Sequence, residues 1–153
     1  MSAIIRIPPA AATLGWLGVI PFAALSVSAV FHWVMLSQNA VDALIAYGAI
    51  ILSFMGGVRW RVAMAATANR SSPAAGKLAI SVVPALAAFG CWLLPRHASL
   101  IGLIIGFAAL LAYDLRNDPD GETNRLMPAW YPRLRLRLTS AVLICLGAAA
   151  VLS

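Results

Sequence analysis

Apolar residues occur in long unbroken blocks rather than at the two-residue or 3.6-residue spacing of a half-buried strand or a surface helix. The blocks fall at about residues 14–36, 41–66, 78–94, 98–113 and 134–152. The first carries no charge and at 1.5 Å per residue is long enough to cross a hydrocarbon core of about 30 Å. The pattern therefore predicts an all-α membrane protein, a single transmembrane domain over residues 1–153 with about five spans. Pro21 lies inside the first span, which it is expected to bend slightly, and Pro84 inside the third. Arg6 followed by an apolar run and Ser26-Val27-Ser28-Ala29 imitates a secretory signal. The run continues through Phe31, Trp33 and Met35, so a retained first span is expected.

The breaks between blocks carry turn chemistry. Ser37-Gln38-Asn39 predicts a polar turn, after which Asp42 is placed to complement the start of the second helix. Asn69-Arg70-Ser71-Ser72-Pro73 predicts a loop, and Pro95-Arg96-His97 a tight hairpin between spans three and four. The segment from Asp114 to Tyr131 is polar, with turn preferences at Asp118-Pro119-Asp120-Gly121 and too few spaced acids for a calcium loop. Pro128-Ala129-Trp130-Tyr131-Pro132 suits a membrane interface. The alternating Arg133-Leu134-Arg135-Leu136-Arg137-Leu138 is expected to open the fifth helix, because a lone strand would leave backbone groups unpaired in lipid.

Within span two, Ala49, Ser53 and Gly57 fall four residues apart, with Gly56 beside them. This seam is expected to let another protein helix approach closely. Gly102 and Gly106 make a second small-residue spacing in span four. Span two ends in Arg59-Trp60-Arg61. Charged residues at that depth need a partner or a route to the headgroups, while Trp60 suits the interface. Arg59 and Asp114 lie at matching depths at the inner ends of spans two and four and are the expected ion pair. Arg61 and Arg116 are competitors for the same acid. The alternative is a pocket here for an anionic lipid headgroup or a quinone-like ligand.

Composition agrees with the pattern: 62% of residues are hydrophobic and 10% charged, too few charges to cover a water-soluble surface. The net charge of +6 does not point to nucleic acid, because no basic domain stands apart from the spans. With the N-terminus cytoplasmic and five spans, only Arg96 of the 11 lysines and arginines falls outside, and the C-terminus is periplasmic.

Candidate chemistry is sparse. Cys91 and Cys145 sit in apolar runs without a metal-ligand spacing and read as inert thiols. His32 and His97 are both expected at the outer face, where together they could contact haem iron or another metal. Two independent interfacial histidines are the simpler reading. No catalytic constellation, resident metal or cofactor is expected, and the chain does not read as an enzyme.

Several stretches, Gly18-Val19-Ile20-Pro21-Phe22, Tyr47-Gly48 through Gly56-Gly57-Val58-Arg59-Trp60, Asp114, and Pro128-Ala129-Trp130-Tyr131 with Arg135 and Leu138-Thr139, resemble an uncharacterised family of small polytopic membrane proteins. That family includes the mitochondrial transmembrane protein 69. The resemblance implies a helical bundle and a bacterial inner-membrane home, and it carries no reaction. The functional expectation is a small interaction protein in the lipid bilayer, an accessory subunit or assembly factor of an energy-transducing (respiratory or photosynthetic) membrane complex. The alternative is a small transporter or a lipid- or quinone-binding protein.

The five-span orientation predicts that cysteines introduced at Ser72 and Ser153 react with an impermeant maleimide from opposite sides of the membrane. Labelling of both from one side excludes that arrangement.

Overall fold

The computed structural model describes residues 7–31, 37–68, 74–116 and 128–152. They form five helices: α1 (Pro9–Val30), α2 (Ser37–Ala68), α3 (Ala74–Trp92), α4 (Arg96–Arg116) and α5 (Tyr131–Leu152). Pro9 occupies the first turn of α1, where its missing N–H would have no intrahelical acceptor. The helix therefore begins earlier than the apolar block suggests, and it ends at Val30 with Phe31 in a turn. Ser37-Gln38-Asn39 is the opening of α2 rather than a turn before it. The arginine-leucine alternation lies on α5 as helix. The 69–73 loop and the Asp118–Gly121 turn lie outside the described residues.

Four helical stretches, Pro9–Val30, Asn39–Arg61, Arg96–Arg116 and Tyr131–Leu152, are long and apolar enough to cross a membrane. The apolar part of α3, Leu78–Trp92, is shorter. Helix α2 runs 32 residues, longer than the hydrocarbon core needs, and its apolar span ends at Arg61. The helices expose large apolar side chains outward, Phe31 and Ile144 each more than 70%. In water such a surface would aggregate; in lipid it is the ordinary exterior.

Helices α1, α2, α4 and α5 form a closed ring, with α1 against α2 and α5, and α4 against α2 and α5. Helix α3 lies outside the ring over α2 and α4. Phe22 sits at the ring's centre, edge-on to Tyr47 at 4.9 Å and to Phe107 at 6.1 Å between centroids. Such edge-to-face contacts add to simple burial. Buried polar groups are satisfied across the ring: the Tyr47 hydroxyl donates to the Gly18 carbonyl at 3.0 Å, and Ser26 Oγ to the Cys145 carbonyl at 2.7 Å. At the tight α3–α4 turn, Ser99 Oγ donates to the carbonyls of Cys91 and Leu94. Each of these would otherwise be an expensive orphan in an apolar interior.

The small residues divide sharply. A Cβ on Gly56 would lie 2.8 Å from the Ser81 carbonyl oxygen of α3, and one on Gly106 would lie 2.8 Å from Leu52 of α2. Gly102 packs as tightly on Cys91 of α3, so the two glycines of α4 serve different neighbours. The seam divides: Ala49 is partly buried against the core and Ser53 is half-buried, whereas Gly57, contrary to expectation, is not covered by another helix of this chain. Gly57 is exposed and a Cβ there would meet nothing within 4 Å, while Ala49 and Ser53 edge an open groove against Ala85, Phe89 and Trp92. Ala49, Ser53 and Gly56, spaced i, i+4 and i+7, share the face toward α3, which turns Gly56 inward and Gly57 outward.

Gly56→Ala is accordingly expected to destabilise the fold by about 1–3 kcal/mol through overpacking against backbone. Gly57→Ala is expected to be neutral or stabilising, since it adds helix propensity without a clash. Unfolding of both variants in detergent checks the contrast.

Candidate functional site

Where α2, α4 and α5 come together, three charged side chains meet. Asp114, on the last turns of α4, accepts from Arg59 of α2 through one carboxylate oxygen, with Nε of Arg59 at 2.6 Å from Oδ1 and Nη2 reaching the same oxygen. Its other oxygen, Oδ2, accepts from Nε of Arg135 on α5 at 3.2 Å. The side chains are 15%, 12% and 9% exposed for Arg59, Asp114 and Arg135. The Arg59 guanidinium also lies over the Tyr113 ring, 4.6 Å from its centroid, a cation–π contact that stabilises a partly desolvated cation. One carboxylate thus serves two guanidiniums, and the cluster carries an excess positive charge.

Arg135 is the residue that depth arguments miss. Tyr131, Arg135, Thr139, Val142, Leu146 and Ala149 recur at helical spacing, and all but Tyr131 are buried. Reading the Arg133–Leu138 stretch by its alternation hides that face; reading it at 3.6 residues per turn reveals that Arg135 points inward. Arg133 and Arg137 are exposed, as are Arg61 and Arg116, so neither competitor takes Asp114. Trp60 is exposed and suits the lipid interface; Trp130 is half-buried and packs edge-on to Tyr131, 6.4 Å between centroids.

Beside the cluster is a partly open cavity of about 280 Å³ inside the ring. Helix α1 lines it with Gly15, Gly18 and Phe22, α2 with Ile51, Phe54 and Met55, α4 with Phe107, and α5 with Tyr131, Arg135 and Thr139. Leu14 and Phe54, both largely exposed, stand at its rim, so the cavity opens on the apolar outer surface of the ring. The wall is almost wholly apolar. Two atoms break the pattern: Arg135 Nη2 and Thr139 Oγ1 are buried with no hydrogen-bond partner among the described residues. Arg135 Nη1 has only the Met55 thioether, 2.7 Å away, a weak acceptor. Arg135 and Thr139 are one helical turn apart on the same face of α5.

The opposite end of the ring carries a second ion pair. Arg96, at the start of α4, donates twice to Asp42 of α2, at 2.7 and 2.6 Å. Asp42 therefore does not cap α2; it lies within the helix, and its carboxylate reaches across to α4. The two pairs run along parallel helices, about 25 Å apart by helical rise. His97 is exposed beside Arg96, and His32 lies outside the described residues. Among the described residues no group of three or more histidine, cysteine, aspartate or glutamate side chains could hold a metal ion.

Residues 7–151 match the family described as a protein of unknown function, DUF3429. Transmembrane protein 69 of Xenopus tropicalis is 33% identical over 138 residues, covering 86% of this chain and 50% of that protein. The chain thus spans about half the length of this curated relative. No solved structure matches.

The shared carboxylate predicts an asymmetry between the two ends. Asp114→Asn leaves two largely buried arginines without their anion and is expected to cost about 3–5 kcal/mol. Asp42→Asn breaks a solvent-exposed pair and is expected to cost about 0–1 kcal/mol. Equilibrium unfolding in detergent measures both.

Proposed function

Because the chain belongs to the DUF3429 family of proteins of unknown function, its activity must be read from the site itself, and we propose that it is a non-catalytic membrane protein that holds one amphiphilic molecule, a lipid or a quinone, in the cavity of its helical ring. The observation that carries this reading is the pair of orphaned polar atoms, Arg135 Nη2 and Thr139 Oγ1, in an otherwise apolar wall. A buried donor left unmade costs roughly 1–3 kcal/mol, more when charged. Elsewhere in the ring Tyr47, Ser26 and Ser99 have found backbone acceptors, so these two orphans stand out. An oxygen-bearing headgroup entering past Leu14 and Phe54 would satisfy them while its tail stays in an apolar environment. Asp114 is committed to two arginines and is not free to act as a general base, which favours binding over chemistry.

A second reading keeps the protein as an accessory subunit or assembly factor of an energy-transducing complex in a bacterial inner membrane. The open groove between α2 and α3, edged by Ala49 and Ser53 and continued by exposed Gly57, favours it, because small residues at a helix surface allow another membrane helix to approach. The two readings are compatible in one molecule.

Extraction in a mild detergent followed by native mass spectrometry tests both. The expected result is one lipid or quinone adduct per chain that is lost or reduced in Thr139→Val. A wild-type chain released as a bare polypeptide overturns the ligand reading. Co-migration with a fixed set of other membrane proteins supports the second.

A further inference from the structure

We propose that the head of the bound molecule is anionic, a carboxylate or phosphate on a single apolar tail, and that it docks on the Nη1–Nη2 edge of Arg135. This rests on the reading that the cavity holds an amphiphile. Three observations select charge over a neutral carbonyl. The cluster contains two guanidiniums and one carboxylate, so it is one negative charge short. Asp114 carries a single negative charge and already spreads it over both arginines, Oδ1 to Arg59 and Oδ2 to Nε of Arg135. The far edge of the Arg135 guanidinium then presents two N–H-bearing nitrogens, one against the Met55 sulfur and one buried without a hydrogen-bond partner. That edge is the planar fork which matches two oxygens of a carboxylate or phosphate. A thioether is a poor neighbour for it, and an anion would displace that contact at little loss.

The surroundings determine what else the ligand must be. Arg135 is more than nine-tenths buried, so a fully hydrated ion arriving alone would have to shed its water into an apolar wall. A molecule bearing its own apolar tail avoids this, because the tail occupies the space among Phe22, Phe107 and Phe54 and continues past the rim into lipid. The cavity volume of about 280 Å³ is less than a long acyl chain fills, and the opening on the apolar outer surface lets the remainder lie in the bilayer. Thr139 Oγ1, one turn along α5 at a rise of about 6 Å, is placed for a second oxygen further down the molecule, such as the ester carbonyl of a monoacyl glycerophosphate.

The test uses the full chain in a nonionic detergent and four competing probes: palmitate, 1-palmitoyl lysophosphatidate, hexadecanol and decylubiquinone. At least one anionic probe is expected to bind about tenfold or more tightly than hexadecanol, the neutral molecule of the same tail length, as befits a charge-assisted bidentate contact. Arg135→Gln is expected to bring that preference close to unity. The wild-type comparison stands without any variant should Arg135→Gln fail to fold. Preference for palmitate identifies a carboxylate head. Preference for lysophosphatidate, reduced in Thr139→Val, identifies a phosphate head with an ester below it. Equal binding of the anionic probes and hexadecanol, or a preference that survives in folded Arg135→Gln, overturns the inference. If decylubiquinone alone binds tightly, the anionic head is wrong and the amphiphile reading remains. If none of the four binds, and the extracted chain carries no lipid, both fall.

Discussion

A charge inside an apolar bundle must be matched by another, and Asp114 is where this chain meets that demand. Its two carboxylate oxygens face different helices, Arg59 on α2 through Oδ1 and Arg135 on α5 through Oδ2, so one acid at the end of α4 ties three of the four ring helices together. The Asp42–Arg96 pair repeats the link between α2 and α4 at the other end. With 17 residues from Asp42 to Arg59 and 18 from Arg96 to Asp114, the two helices are held parallel and in register over about 25 Å, close to the thickness of the hydrocarbon layer. The two links are unequal. The exposed pair competes with water and contributes little, whereas the largely buried cluster has little access to water and is correspondingly strict about its partners.

Between these ends the ring depends on close approach. Lipid tails are as apolar as leucine, so helices associate through packing density and hydrogen bonds rather than through expulsion of water. Gly48, Gly56, Gly102 and Gly106 each stand where a Cβ would collide with a neighbouring helix, and the hydroxyls of Ser26, Tyr47 and Ser99 reach carbonyls on other segments. Such thorough satisfaction gives the unpartnered Arg135 and Thr139 their meaning. They lie where the helices stand apart enough to leave a partly open cavity beside buried charge.

Much of this was legible in the sequence. Long apolar blocks and 10% charged residues leave a membrane bundle as the only fold class that can bury its backbone and cover its surface. The depth match of Arg59 and Asp114 could be read by counting residues, because helical rise is nearly constant. The same arithmetic could not say which helices are neighbours, so the partnership needed the ring to exist. Arg135 was obscured by an alternation that looks like a strand while the segment is helical, and its inward face follows only from the spacing it shares with Thr139, Val142 and Leu146.

By itself, then, the chain determined what local chemistry and length can determine: that it is helical, that it spans a membrane, and roughly where each helix begins and ends. The inward turn of Gly56 instead of Gly57, the reach of Asp42 to Arg96 instead of to its own helix, the sharing of Asp114 and the cavity beside it were decided by tertiary structure. Each depends on the rotation of one helix about its axis relative to another, and a shift of one residue turns a side chain by about 100°. Hydrophobic blocks that are apolar on every side carry almost no information about that rotation. Packing of small residues and pairing of the few charges supply it.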